Sequence, residues 1–88
     1  MDIEIIWKRI CNHEGEIFRQ IKGKEFTYSV NGNYLRLSTT NYNVSKKTFE
    51  KAIEFLPLQN TVPIQNLQAP SYLYAILMDS RITNNNFK

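Results

Sequence analysis

The stretch KEFTYSVNGNYLRL, residues 24–37, decides how this chain is read. Phe26, Tyr28 and Val30 alternate with Thr27 and Ser29, and Leu35 and Leu37 alternate with Arg36 and Ser38. A period of two is the signature of a strand with one buried face. Asn31-Gly32 lies between the two runs. Both residues tolerate positive φ, so the pair predicts a hairpin closed by a type I′ turn. With these two residues as the loop, Phe26 faces Leu37 and Tyr28 faces Leu35.

The same logic extends toward the N-terminus. Residues 16–22 read as a strand, and Gly23-Lys24 suits a type II′ loop with glycine first. That loop sets Ile21 opposite Phe26 and Ile17 opposite Val30. One face then carries Ile17, Ile21, Phe26, Tyr28, Val30, Leu35 and Leu37, a core face built from three strands. Arg19 falls on that face beside Tyr28, where it either stacks on the ring or emerges at the sheet edge. The outer face carries Phe18, Ser29 and Tyr34 in one row, then Gln20, Thr27 and Arg36, then Lys22, Glu25 and Ser38.

Helices flank the strands. Ile3, Ile6, Trp7 and Ile10 form a single apolar stripe within a helix over residues 2–14, with Asp2 as N-cap and Gly15 past its end. Residues 39–44 are polar and read as a loop. Ser45 caps a second helix, in which Val44 and Phe49 form a hydrophobic staple. Phe49, Ala52, Ile53 and Leu56 make its stripe, and Pro57 stops it. Residues 58–69 lack a period, with Val62, Ile64 and Leu67 tucked into the core. A last helix starts at Pro70 and presents Leu73, Ile76 and Leu77.

The expected fold is therefore α+β, in the order α-β-β-β-α-α, with a three-stranded antiparallel meander packed against helices. Residues 1–82 form one domain and residues 83–88 a flexible tail.

Composition narrows the function classes. Apolar residues make up 42% of the chain and charged residues 22%, ordinary for a soluble globular protein. The net charge of +3 suits nucleic acid or an acidic protein, but the cations are spread along the chain. One cysteine, Cys11, excludes an internal disulfide and points to the cytoplasm. Asp2 and Glu4 stand where the basic region of a signal peptide would lie, and no apolar run is long enough to span a bilayer.

No catalytic or cofactor motif is legible, so the expectation is a non-enzymatic protein with no cofactor. Cys11 and His13 are two apart on a helix and point away from each other, and no second Cys or His completes a zinc site. Cys11 reads as a small buried hydrophobe and His13 as a cation at a helix C-terminus.

Two places suit a ligand. The outer sheet face brings Phe18, Tyr34, Gln20, Lys22 and Arg36 together, a composition that stacks bases and contacts phosphates unless a helix covers it. At the start of the second helix, Lys46 and Lys47 stand where the dipole disfavours cations, and Ser45, Asn41 and Asn43 add donors for an anion. A competing reading is a protein interface at Tyr72 and Tyr74, which flank the last helix's stripe so that at most one faces the core.

The order Phe26-Thr27-Tyr28, Gly32, Leu35-Arg36-x-Ser38, Thr40-Asn41, Ser45-Lys46, Phe49-Glu50-Lys51-Ala52 and Pro70-Ser71-Tyr72-x-x-Ala75-Ile76-Leu77 resembles a small domain of uncharacterised short proteins of bacteria and their phages. The resemblance covers residues 15–82 and transfers no functional residue. It implies mobile-element biology, where small non-enzymatic binders are common. It also marks residues 36–41 and Pro70-Ser71-Tyr72 as positions outside the core. Two functions follow as expectations. The first is a nucleic-acid-binding module using Phe18, Gln20, Lys22, Tyr34, Arg36, Asn41, Lys46 and Lys47. The second is a phage-type inhibitor or adaptor that holds a host defence protein through Tyr72 and Tyr74.

Overall fold

A computed structural model describes residues 2–40 and 42–83. Helix α1 (Ile3–Asn12) leads into a two-stranded ribbon, β1 (Phe18–Arg19) and β2 (Glu25–Phe26). A three-stranded antiparallel sheet follows, β3 (Tyr28–Asn31), β4 (Tyr34–Leu37) and β5 (Asn43–Ser45), with β4 in the middle. Helix α2 (Lys46–Ile53) continues directly from β5. A 3-10 turn (Val62–Ile64) and helix α3 (Pro70–Leu77) complete the described chain. The α+β class and the three-stranded meander are as expected, but β5 takes the place in the sheet expected for residues 16–22.

Turn chemistry accounts for the difference. In the β3–β4 hairpin, Asn31 pairs with Tyr34 and Tyr28 with Leu37. The loop is therefore Gly32-Asn33, and only Gly32 takes positive φ, at +61°. That is the type II′ pattern, with glycine at the first central position, not type I′. Moving the loop by one residue shifts each strand's partner by two, which preserves every side chain's face. Tyr28, Leu35 and Leu37 remain buried together.

The ribbon slips by an odd number instead. Phe18 pairs with Phe26 and Arg19 with Glu25. Its loop has three residues, Ile21-Lys22-Gly23. The Gln20 amide donates to the Lys24 carbonyl at 2.9 Å, and the Gly23 amide to the Gln20 carbonyl at 2.8 Å. Gly23 closes the loop at φ +88°, the left-handed residue that follows the turn in a three-residue hairpin. An odd slip exchanges the two faces of a strand. Phe18 is accordingly buried at 1% exposure, while Ile17 and Ile21 stand out at 57% and 62%. Arg19 does not stack on Tyr28; it pairs with Glu25 at 2.6 Å in solvent.

Strand β5 replaces part of the expected loop over residues 39–44. The Thr40 hydroxyl accepts from the Tyr42 amide at 2.8 Å and helps reverse the chain. Val44 then pairs with Leu35 and is buried. Ser45 caps α2 by accepting from the Thr48 amide at 3.1 Å, and Asp2 caps α1 from the Glu4 amide at 2.9 Å.

Helix α1 lies on the inner sheet face. The Tyr28 hydroxyl donates to the Ile10 carbonyl at 2.6 Å, and burial pushes the phenol above its ordinary value of 10.0. The Trp7 indole donates to the Gly32 carbonyl at 3.4 Å and meets Phe49 edge-on at 5.6 Å. Helix α3 covers the ribbon, with Tyr72 edge-on to Phe26 at 4.9 Å. Ile64 is core and Leu67 half-buried, whereas Val62 is exposed at 66%, against expectation. The chain beyond α3 also packs inward. Ile82 is buried, and so is Thr83, placed by its sequence in a tail; its hydroxyl donates to the Leu77 carbonyl at 2.6 Å. The expected tail over residues 84–88 lies outside the described residues.

Candidate nucleic-acid interface

The outer face of the three-stranded sheet is open to solvent. Burial alternates along β4, with Leu35 and Leu37 inward and Tyr34 and Arg36 outward. Register adds their neighbours. Tyr34 stands between Asn31 and Ser45, and Arg36 between Ser29 and Asn43. Tyr34 and Arg36 are two residues apart on one strand, so about 7 Å separates their Cα atoms. Tyr34 is 55% exposed, and its ring has no aromatic partner among the described residues. Arg36 is exposed and makes no ion pair among them. The face thus presents one ring, one free guanidinium and four short polar side chains. No carboxylate lies on its three strands.

A groove of about 510 Å³ runs beside Arg36, lined by Ser29, Ser38 and Thr40 and by Glu14 and Gly15. A second hollow, about 380 Å³, opens beside Tyr34; Ser45, Lys46 and Lys47 line it together with Glu4 and Glu50. A larger hollow, about 740 Å³, lies elsewhere, between the start of α1 and α2. Its three carboxylates, Asp2, Glu50 and Glu54, outnumber its two lysines, Lys47 and Lys51, so it does not favour an anion.

The other expected site residues disperse. Phe18 is no ligand contact. Its ring packs 5.2 Å from Tyr28 and 6.1 Å from Phe26, with the Arg81 guanidinium 3.8 Å from its centroid. Gln20 belongs to the ribbon and donates to the Ser71 hydroxyl at 3.2 Å. Lys22 sits in the ribbon loop near Thr61 and Ser71, lining a hollow in which neither Tyr34 nor Arg36 takes part. The expected rows joining Gln20 and Lys22 to Arg36 therefore do not form, because the strand that carries them has left the sheet. Asn41 lies outside the described residues.

At the α2 N-terminus the expected anion site already has an occupant. Lys46 Nζ lies 3.0 and 2.9 Å from the two Glu4 carboxylate oxygens. The Lys46 amide donates to the Asn33 carbonyl at 2.7 Å, and the Thr48 amide to Ser45. Lys47 remains exposed, without an ion pair among the described residues. Both tyrosines are half-buried and pack against the core, where at most one was expected. Tyr72 packs on Phe26 and shares a 2.6 Å hydrogen bond with the Thr39 hydroxyl. Tyr74 is half-buried and lines a hollow on α3.

Charged side chains cluster where α1, β1 and the C-terminal segment meet. His13 Nδ1 lies 3.0 Å from Glu16 Oε2, not at a helix carbonyl. Arg81 bonds Glu16 at 3.1 Å, both Asp79 oxygens at 2.8 and 2.9 Å, and the Ile17 carbonyl at 2.8 Å. No sequence pattern marks this cluster, because its members lie up to 68 positions apart. The His13 bond first, then Arg81, holds the Glu16 carboxyl below its ordinary 4.5. Arg81 holds Asp79 below its ordinary 3.8.

In the folded chain both carboxyls thus bind fewer protons than in the unfolded chain. Their stabilising contribution is complete above the ordinary values and lost as pH falls through the folded-state values. We expect stability to urea to decline from about pH 5 downward. We expect Asp79→Asn to lower stability at pH 7 and to flatten the decline below pH 4.

Cys11 is exposed, not buried as expected. Partial desolvation first, and Glu14 second, raise its thiol above the ordinary 9.0, which disfavours the nucleophilic thiolate at neutral pH. Among the described residues, no group of three or more His, Cys, Asp or Glu side chains is placed to hold a metal ion. Nor is any described helix long and apolar enough to cross a membrane. Comparisons with protein-family models, with curated proteins and with solved structures find no match to the chain.

Proposed function

We propose that this chain is a non-enzymatic binding module that takes single-stranded nucleic acid across the open face of β3–β4–β5. The observation that carries the reading is the pairing of Tyr34 and Arg36. They stand outward on the middle strand, in a face whose only other side chains are short hydrogen-bonding ones. A free ring on a sheet is a platform for a base, since every base has a π-face. A free guanidinium beside it reaches a phosphate in bidentate geometry or stacks on the next base. Ser29, Asn31 and Asn43 offer donors and acceptors to phosphates and base edges. Lys47, beside the hollow at Tyr34, supplies a second phosphate contact.

A single strand fits better than a duplex. Direct readout in a duplex requires a helix or ribbon that enters the major groove. The open face is a sheet surface whose strands run three or four residues, which spans about 10–13 Å. That length suits two or three splayed nucleotides. With Arg36 and Lys47 on phosphates, the salt slope for a single strand is about −1.4, two contacts at about 0.7 each.

The test is a titration of labelled oligo-dT and oligo-U by anisotropy across a salt series. We expect measurable binding at low salt that weakens along this slope. Arg36→Ala should reduce the slope by about 0.7 and lower affinity at low salt by about tenfold. Affinity and slope unchanged by Arg36→Ala would reject the reading.

A further inference from the structure

A second surface lies at the tip of the ribbon, and the sheet face plays no part in it. Ile21 is 62% exposed in the three-residue loop. A hollow of about 320 Å³ opens on one side of it, with Tyr74 and Met78 of the α3 end on its wall. A second, of about 270 Å³, opens on the other side toward Ser71 and Thr61. Ile21 is thus a ridge between two depressions, a shape that receives side chains from a partner. Tyr74 adds an aromatic wall and Met78 an adaptable one.

The charges around this ridge indicate what the partner carries. Arg19 is neutralised by Glu25 at 2.6 Å. Arg81 serves both Asp79, at 2.8 Å, and Glu16, at 3.1 Å, which leaves that cluster one carboxylate in excess. Lys22 and Lys24 flank Gly23 at the tip, are exposed, and have no ion pair among the described residues. Two free lysines outweigh that single carboxylate, so the charge at the loop is positive, beside an apolar seat. We infer that the ribbon tip and the exposed side of α3 form a docking surface for a protein segment that combines acidic residues with an apolar anchor. The anchor sits against Ile21, Tyr74 and Met78. Its carboxylates meet Lys22 and Lys24, which raises the association rate and excludes basic segments.

The surface is tested on the intact chain with a displayed library of random peptides, followed by anisotropy on synthetic copies of the enriched sequences. We expect enrichment of peptides in which Asp or Glu neighbours Leu, Ile, Phe or Met. Ile21→Ser should weaken them by about tenfold or more, the loss typical of a central interface anchor. The double variant Lys22→Glu and Lys24→Glu should abolish their binding and select basic peptides instead. Both changes lie in an exposed loop, and the melting curve of each variant checks that it folds. Arg36→Ala should leave peptide affinity unchanged, which separates this surface from the nucleic-acid face. Enrichment of basic or uncharged peptides would overturn the inference. So would no enrichment, unaltered binding to the charge-reversed variant, or displacement of bound peptide by oligo-U.

Discussion

Phe18→Ala is expected to destabilise the chain by about 3–5 kcal/mol, the usual cost of deleting a buried phenylalanine. The ring is 1% exposed and sits among Phe26, Tyr28 and the Arg81 guanidinium. An 88-residue domain holds about 4–13 kcal/mol in total, so the variant should lose from about a quarter to all of its stability. Its neighbours provide the contrast. Ile17→Ala and Ile21→Ala each remove a side chain that is more than half exposed, and each should shift stability by no more than about 0.5 kcal/mol. Urea unfolding of the three variants reads the ribbon register directly. A two-residue loop at Gly23-Lys24 would reverse the order, with the isoleucine variants severe and Phe18→Ala mild.

Tyr34→Ala should leave stability within about 0.5 kcal/mol while removing most of the affinity for single strands. The ring is 55% exposed and supports nothing beneath it, since Leu35 and Leu37 supply the inner contacts of β4. One stacked base is worth about 1–3 kcal/mol, which corresponds to a loss of about 5- to 150-fold in affinity. Tyr34→Phe keeps the π-face and should bind nearly as well as the native chain. Anisotropy with oligo-U, paired with a melting curve for each variant, separates loss of the platform from loss of the fold. Equal affinity for Tyr34→Ala and the native chain would exclude stacking at this position.

The helices and the β3–β4 hairpin were legible because their signals are redundant. Asp2 and Ser45 cap where capping chemistry requires it, and the stripes of α1 and α2 are the buried faces. The Asn-Gly hairpin tolerated a wrong turn type, because an even change of register keeps Tyr28 and Leu35 inward. The ribbon had no such protection. Its segment offers Ile17 and Ile21 on one parity and Phe18 on the other, and counting apolar residues chooses the isoleucines. The better signal was the glycine at the third position of Ile21-Lys22-Gly23, which suits a three-residue loop as well as Gly23-Lys24 suits a two-residue one.

Of the expected face, Tyr34 and Arg36 survived because they share β4. Phe18, Gln20 and Lys22 did not, because their strand pairs with β2 in a separate ribbon and an odd slip turns Phe18 inward. Strand β5 was hidden by its length: three residues with one apolar side chain show no alternation, and only pairing with β4 makes them a strand. The ion pair between Lys46 and Glu4 was equally invisible, since it depends on how α1 and α2 dock.

Backbone amide NMR during titration with oligo-U tests the central claim most directly. Binding across the open face predicts shifts concentrated at Ser29, Asn31, Tyr34, Arg36 and Asn43, fading as salt rises. Shifts confined to the ribbon tip and α3, or none at low salt, would contradict it.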